Sequence, residues 1–265
     1  MDEDVLLFDV DARGIATATF NRPEVRNAYD GEMLESLARV LERCASDDTV
    51  RLLVLRGNGP VFQAGADLRW MSELRGKTPE ESLAVSRLTA GVFRALSQLP
   101  KPAIALVHGA CFGGGVGFVA GCDVAVATSD TRFAITEARW GLLPSIIAPQ
   151  LNAAIGIRNA RRYALSCERF DASRAQSIGL VHEVCDPSRL DDAAAPIIEA
   201  FLLSAPDSIR QLKALALEHA GVTIDDELFE RLVRLHADKR ETAEAQEGLS
   251  SFREKRPPGW FVPQQ

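Results

Sequence analysis

The sequence predicts an α/β fold followed by a helical region. Three patterns carry that expectation. As far as Thr128, short apolar runs that stop at glycine or a polar turn alternate with segments of helical spacing. Helical crossovers between successive apolar runs imply parallel strands. From about Pro149 the pattern changes and helical segments dominate.

The elements follow in order. "VLLFDVDARGIATATF" reads as two short strands joined at "DARG", the second alternating apolar and small polar residues. "GEMLESLARVLERCASD" has helical spacing through Met33, Leu34, Leu37, Val40 and Leu41. "VRLLVLRG" is a buried strand stopped by glycine, and "NGPVFQAGAD" is a loop by its Gly, Pro and Asn content. A helix over about 80–98 precedes the strand "KPAIALVHG"; a short apolar helix, "VGFVAGC", then leads into the strand "DVAVAT". Beyond Pro149, "APQLNAAIG", "RNARRYALS", "DASRAQSIG", "RLDDAAAPIIEAFLL", "SIRQLKALALEHA" and "DDELFERLVRLHADK" are helical, interrupted by one apolar run, "LVHEV". Turns near Ala66, Gly114 and Glu137 fall at strand ends, where α/β sheets hold ligands.

Composition narrows the function classes. The chain has 265 residues, 46% hydrophobic and 25% charged, as in ordinary globular proteins. Its formal net charge is −7 with no run of Lys or Arg, so nucleic acid is not the expected partner. An anionic ligand needs positive charge concentrated where it binds. The five cysteines, Cys44, Cys111, Cys122, Cys167 and Cys185, show no CxxC or Cys/His spacing, and no metal site is expected. No segment reaches the roughly 20 apolar residues of a membrane span. The acidic start "MDEDVLLFDVDARG" has no apolar core of signal-peptide length, so the expectation is a cytoplasmic protein with reduced thiols.

The stretch "ACFGGGVGF" gives up three consecutive side chains and then a fourth at Gly117. Tight turns and close backbone packing both use glycine in this way. A chemical use exists as well. "GNGPVFQAGADL" and "VHGACFGGGVGF" each end a predicted strand and expose backbone N–H groups, near Ala66 and near Gly114. Two such donors aimed at one point make an oxyanion hole. The second also lies at a helix N-terminus, where the dipole favours negative charge. Neither stretch fits a phosphate-binding P-loop or the glycine fingerprint of a dinucleotide fold.

Several motifs together point further. "NRPEVRNA" (21–28), "VFQAGADLRWM" (61–71), "HGACFGGGVGFVAGCDVAVAT" (108–128), "RFAITEARWGLLP" (132–144), "ERFDASRAQSIGLVHEV" (168–184) and "FREKRPPGW" (252–260) resemble the crotonase, or enoyl-CoA hydratase/isomerase, superfamily in order and spacing. The resemblance covers nearly the whole chain. It implies a core of ββα repeats wound as a superhelix over residues 1–200. A helical trimerisation region over 201–265 is implied to continue that unit, with assembly as a homotrimer or a dimer of trimers. The implied substrates are acyl thioesters of coenzyme A, which is part of the substrate, with no separate cofactor. The implied oxyanion donors are the backbone N–H groups of Ala66 and Gly114, with Gly113 and Gly117 in the substrate pocket. Coenzyme A is implied to run past Val25, Arg26 and Ala64, with Asp67 and Arg69 nearby. Phe252 and Lys255 are implied at the nucleotide end.

The carboxylates depart from the usual pattern. Typical enoyl-CoA hydratases share the work on water and the α-carbon between two glutamates. One matches Glu137; the other falls at Gly117, which has no side chain. One glutamate can do both jobs by taking a proton from water and returning it to the same face of the enolate. Alternatively the chain is an isomerase that shuttles one proton with Glu137, or a non-catalytic acyl-CoA-binding or scaffold protein. "GGGVGFVAGCDVAVAT" and "TEARWGLLPSIIAP" resemble bacterial hydratases of branched glutaconyl thioesters, the 3-methylglutaconyl-CoA and isohexenylglutaconyl-CoA hydratases. On that likeness Gly117 is expected to make room for a β-branched acyl chain. Arg139 and Arg69 are the candidates for a distal carboxylate. His108 ends a buried strand and is expected to be structural, and Ser145 has no paired histidine in its motif.

Overall fold

The computed structural model describes residues 4–263. The alternation in the first two apolar runs places Ala16, Ala18 and Phe20 in the core, and β1 (Leu6–Val10) pairs antiparallel with β2 (Ile15–Phe20). Helix α1 (Gly31–Ser46) starts where the Asp30 side chain accepts the Met33 N–H at 3.0 Å. It buries Met33, Leu34, Leu37, Leu41 and Cys44, while Val40 is only half-buried. Strand β3 (Leu52–Gly57) then lies parallel to β2 with Ile15 opposite Leu52.

A short helix α2 (Leu68–Glu73) precedes α3 (Pro79–Ser97), whose start is fixed by a reciprocal cap between Thr78 and Glu81. Strand β4 (Ala103–Val107) is buried throughout, β5 (Ala110–Phe112) follows, and α4 (Gly114–Gly121) opens directly after it. Next come β6 (Val124–Thr128), β7 (Arg132–Ala134), α5 (Ala148–Ser166) and β8 (Phe170–Asp171). The main sheet is completed beyond α6 (Ala172–Ser177) by β9 (Glu183–Cys185), the ordered part of "LVHEV". Its strand order is β1-β2-β3-β4-β6-β9, parallel apart from the first pair. A second sheet, β5-β7-β8, stands apart from it. The spacing expected separate helices at "APQLNAAIG" and "RNARRYALS"; they run on as α5 across a kink at Gly156, whose φ is +70°.

The chain falls into two compact units, one up to Ile197 and one from Ile198 onwards. Helix α7 (Leu190–Leu203), with Pro196 inside it, spans that position, and α8 (Pro206–Glu218), α9 (Asp226–Arg240) and α10 (Ala243–Glu254) make up the second unit. Within that unit Lys239 Nζ bonds both Asp207 (2.8 Å) and Glu244 (2.7 Å), tying three helices together. Among the described residues no helix is long and apolar enough to cross a membrane.

The loop between β3 and α2 carries Ala66, and one buried side chain gives it its shape. Asn27 donates to the carbonyls of Asn58 and Val61 at 2.8 Å and of Phe62 at 3.2 Å, and accepts the Arg22 N–H at 2.9 Å. Its backbone is left-handed, with φ +57°, which asparagine tolerates better than most residues. Asn27→Ala strands buried carbonyls and an amide, so unfolding stability is expected to fall by about 3 kcal/mol. Urea denaturation of variant and wild type checks this; an unchanged midpoint would show that the loop holds its shape without the asparagine.

Candidate active site

A cavity of about 680 Å³ opens in the first unit. Val25, Arg26, Ala64, Ala66, Asp67, Arg69, Gly113, Gly114 and Glu137, all singled out from the sequence, line it. They arrive there on the turn before α1, on two loops that lead into α2 and α4, and on a short helical turn after β7.

The first loop is held edge to edge with the second. Phe62 N–H bonds His108 O (2.9 Å), Gln63 N–H bonds Ala110 O (3.2 Å), and Phe112 N–H bonds Gln63 O (3.0 Å). The Gln63 side chain is fully buried and brackets the next turn: its Oε1 accepts the Gly65 N–H at 2.5 Å and its Nε2 donates to Gly65 O at 3.2 Å. On the other side the loop pairs with the end of "NRPEVRNAY": Tyr29 N–H bonds Gly65 O and Asp67 N–H bonds Tyr29 O, at 2.9 and 2.8 Å. Both bonds skip Ala66. Its amide hydrogen is left without a protein acceptor among the described residues.

The Gly114 amide is free for a different reason. It is the first residue of α4, so helix geometry gives its N–H no partner, and Gly113 before it offers no capping side chain. Gly113 adopts φ +52° and ψ −126°, a conformation that only glycine enters easily. The two loops touch here: a side-chain carbon on Gly65 would lie 3.2 Å from Phe112 O and 3.7 Å from Gly114 N. Two unpaired amides therefore meet at one wall of the cavity, the second at a helix N-terminus.

Glu137 completes the site. It opens the helical turn Glu137–Trp140 directly after β7. Its Oε1 lies 3.5 Å from where a side-chain carbon on Gly113 would stand, which puts the carboxylate beside the oxyanion-type wall. Its Oε2 is buried with no hydrogen-bond partner. Burial pushes its pKa above the ordinary carboxylate value, partly offset by the backbone N–H groups of Glu137 and Thr136. A carboxyl whose pKa is raised in this way is better matched to both accepting and returning a proton.

Asp67 is bound to its own loop. It caps α2 by accepting the Arg69 N–H at 2.8 Å and pairs with Arg22 at 3.2 Å, and Arg22 also holds Asp30 at 2.9 Å. Cations outnumber anions around the cavity: Arg26, Arg69, Arg139 and Arg169 line it, against Asp67 and Glu137. Phe252 and Lys255 belong to the second unit and are not among the lining residues. His108 bonds Gly59 O through Nε2 at 2.9 Å and stays out of the cavity, as expected of a structural histidine. Among the described residues no cluster of three or more His, Cys, Asp or Glu side chains could hold a metal ion.

The glycines need correction. Gly117 does not line the cavity and leaves no space in it. A side-chain carbon there would lie 2.3 Å from Ile147 Cγ2 and 3.0 Å from Phe93 Cε1, and those two side chains form the cavity wall instead. The volume freed by the absent carboxylate is filled from α5's N-terminal approach. The neighbouring glycines also admit protein: carbons on Gly114 and Gly115 would meet the Tyr29 hydroxyl (2.6 Å) and Gln63 Oε1 (2.7 Å). Sequence reasoning missed Arg22, Asn27, Tyr29, Gln63, Ile147 and Arg169. Only Gln63 left a trace, as a lone amide between apolar residues in "VFQAG".

This fold, with two free amides and one desolvated carboxylate at its site, defines an acyl-thioester enzyme of the crotonase class. The chain belongs to the enoyl-CoA hydratase/isomerase family, whose family model matches residues 11–262. Among solved structures, an enoyl-CoA hydratase from Shewanella pealeana superposes with a TM-score of 0.92 at 36% identity, over 97% of this chain and 96% of that one. A trans-2-decenoyl-acyl-carrier-protein isomerase from Streptococcus mutans is 30% identical over 97% of this chain and 98% of its own. A mitochondrial methylglutaconyl-CoA hydratase from Mus musculus is 29% identical over 93% of this chain and 79% of its own.

The packing at Gly117 is directly testable. Gly117→Ala is expected to cost about 1–3 kcal/mol by overpacking against Ile147. Ile147→Ala in the same chain should recover part of that, so the double variant unfolds at higher denaturant than summed single losses allow. Strict additivity would mean that Gly117 faces open space.

Proposed function

We propose that the chain is an enoyl-CoA hydratase in which Glu137 is the sole general acid/base. The observation that carries this is the unpartnered Glu137 carboxylate beside the unpaired amides of Ala66 and Gly114. The thioester oxygen accepts from the two amides, which polarises the α,β double bond. Glu137 takes one proton from a water molecule as its oxygen bonds to the β-carbon. The π electrons move onto the thioester oxygen as an enolate held by the two amides. Glu137 then returns the proton to the α-carbon on the same face. One water is consumed, and the carboxylate ends as it began.

The acyl chain we favour is a β-branched, glutaconyl-type one, carrying a distal carboxylate. With Gly117 filled by Ile147, its support comes from charge: Arg139, two residues from Glu137, and Arg169 both line the cavity. Likewise the four cavity arginines offer the coenzyme A phosphates a cationic surface on a chain of net charge −7. Assembly as a homotrimer or a dimer of trimers is proposed on the exposed apolar side chains of the second unit, Phe252 at 83% among them. A cytoplasmic location is proposed with it. The second reading is an enoyl-CoA isomerase, favoured by the single carboxylate: one base moving a proton between the γ- and α-carbons needs no second group.

Turnover of crotonyl-CoA, 3-methylglutaconyl-CoA and isohexenylglutaconyl-CoA in heavy-oxygen water tests both. The expected product gains one labelled water, and Glu137→Gln slows its formation by about 10³-fold or more. The base must be ionised, so kcat/KM should fall as pH drops through the raised pKa of Glu137. Unlabelled products of unchanged mass would overturn hydration and point to isomerisation of β,γ-enoyl thioesters.

A further inference from the structure

The cavity contains a second polar group with nothing to bond to. Tyr29 is only 8% exposed, lines the cavity, and its hydroxyl has no hydrogen-bond partner among the described residues. A phenylalanine would fill the same space without stranding an oxygen. The hydroxyl oxygen, unlike Glu137 Oε2, stays accessible from the cavity, so its hydrogen-bonding capacity is open to whatever enters there.

Its position is tightly determined. The ring is wedged edge-on among Trp70, Phe93 and Phe118, at centroid distances of 6.4, 6.3 and 5.8 Å. The main chain of Tyr29 is bonded on both sides of Ala66, through Gly65 O and the Asp67 N–H. The far end of the side chain reaches the other loop, where a side-chain carbon on Gly114 would lie 2.6 Å from the hydroxyl. One residue thus touches both halves of the amide wall: its backbone frames the first donor and its hydroxyl packs against Gly114, the residue that carries the second.

The geometry points to the Tyr29 hydroxyl as a third hydrogen-bond donor to the thioester oxygen, beside the amides of Ala66 and Gly114. This rests on the acyl-thioester chemistry proposed above and adds a catalytic residue to it. Burial, and then the negative charge of Glu137, push the phenol well above its ordinary pKa. That shift favours the protonated phenol, the form that can donate. The hydroxyl stands against Gly114, and the thioester oxygen is therefore the acceptor the proposal gives it.

Tyr29→Phe removes that oxygen alone and keeps the ring packing. Two rates are read: hydration of the best enoyl-CoA, and deuterium uptake from solvent at the α-carbon of the matching saturated acyl-CoA. The second needs the oxyanion site and Glu137 but no water addition. Both are expected to fall in parallel by about 10- to 100-fold, with KM within about threefold and the melting temperature not lowered. Rates within twofold of wild type would overturn the assignment. So would lost hydration with exchange intact, which would give the hydroxyl to the water. A raised KM and lowered melting temperature at unchanged kcat would make Tyr29 purely structural. If the wild type exchanges deuterium but never adds water, hydration fails as the function, and the exchange comparison alone still decides Tyr29.

Discussion

The site depends on two loops being held side by side with one amide of each left unpaired. Main-chain bonds from Gln63 to Ala110 and Phe112 fix the approach, and the Gln63 side chain closes on both faces of Gly65. Amides without a protein partner forgo a hydrogen bond that the folded chain could otherwise make. Here the cost is borne by an otherwise fully bonded frame: Tyr29 and Asp67 take the bonds on either side of Ala66, and Gly114 is left open by helix geometry. Loosening the frame would let these amides find protein partners, and the site would lose its preorganised donors.

Charge is arranged around that frame with the same economy. Asp67 is neutralised by Arg22 and by the N–H groups it caps, so the one carboxylate left uncompensated in the cavity is Glu137. Its raised pKa follows from burial. The surrounding arginines give an acidic chain a locally cationic cavity. The net charge allows an anionic ligand only where positive charge is concentrated, and the cavity arginines are such a concentration.

Much of this was legible in the sequence, unevenly. The strand–helix alternation gave the main sheet through β6, because its runs are long enough to show a period. Strands β5, β7 and β8, of two or three residues each, are too short to carry one. Ala66, Gly114 and Glu137 could be singled out because their motifs are local. Gly117 could not be interpreted correctly, since its neighbour Ile147 lies thirty positions along the chain and only folding brings them together. Tyr29 and Asn27 were hidden for a similar reason: Asn27 stands in a quoted motif and Tyr29 just beyond it, but their partners lie on distant loops.

The central claim is that the amides of Ala66 and Gly114 and the carboxylate of Glu137 converge on one thioester. A crystal structure with a saturated, unreactive acyl-CoA bound tests it most directly. The account predicts the thioester oxygen within about 3 Å of both amide nitrogens, with the α-carbon facing Glu137. A thioester oxygen bonded to neither amide, or an acyl chain lying away from Glu137, would contradict it.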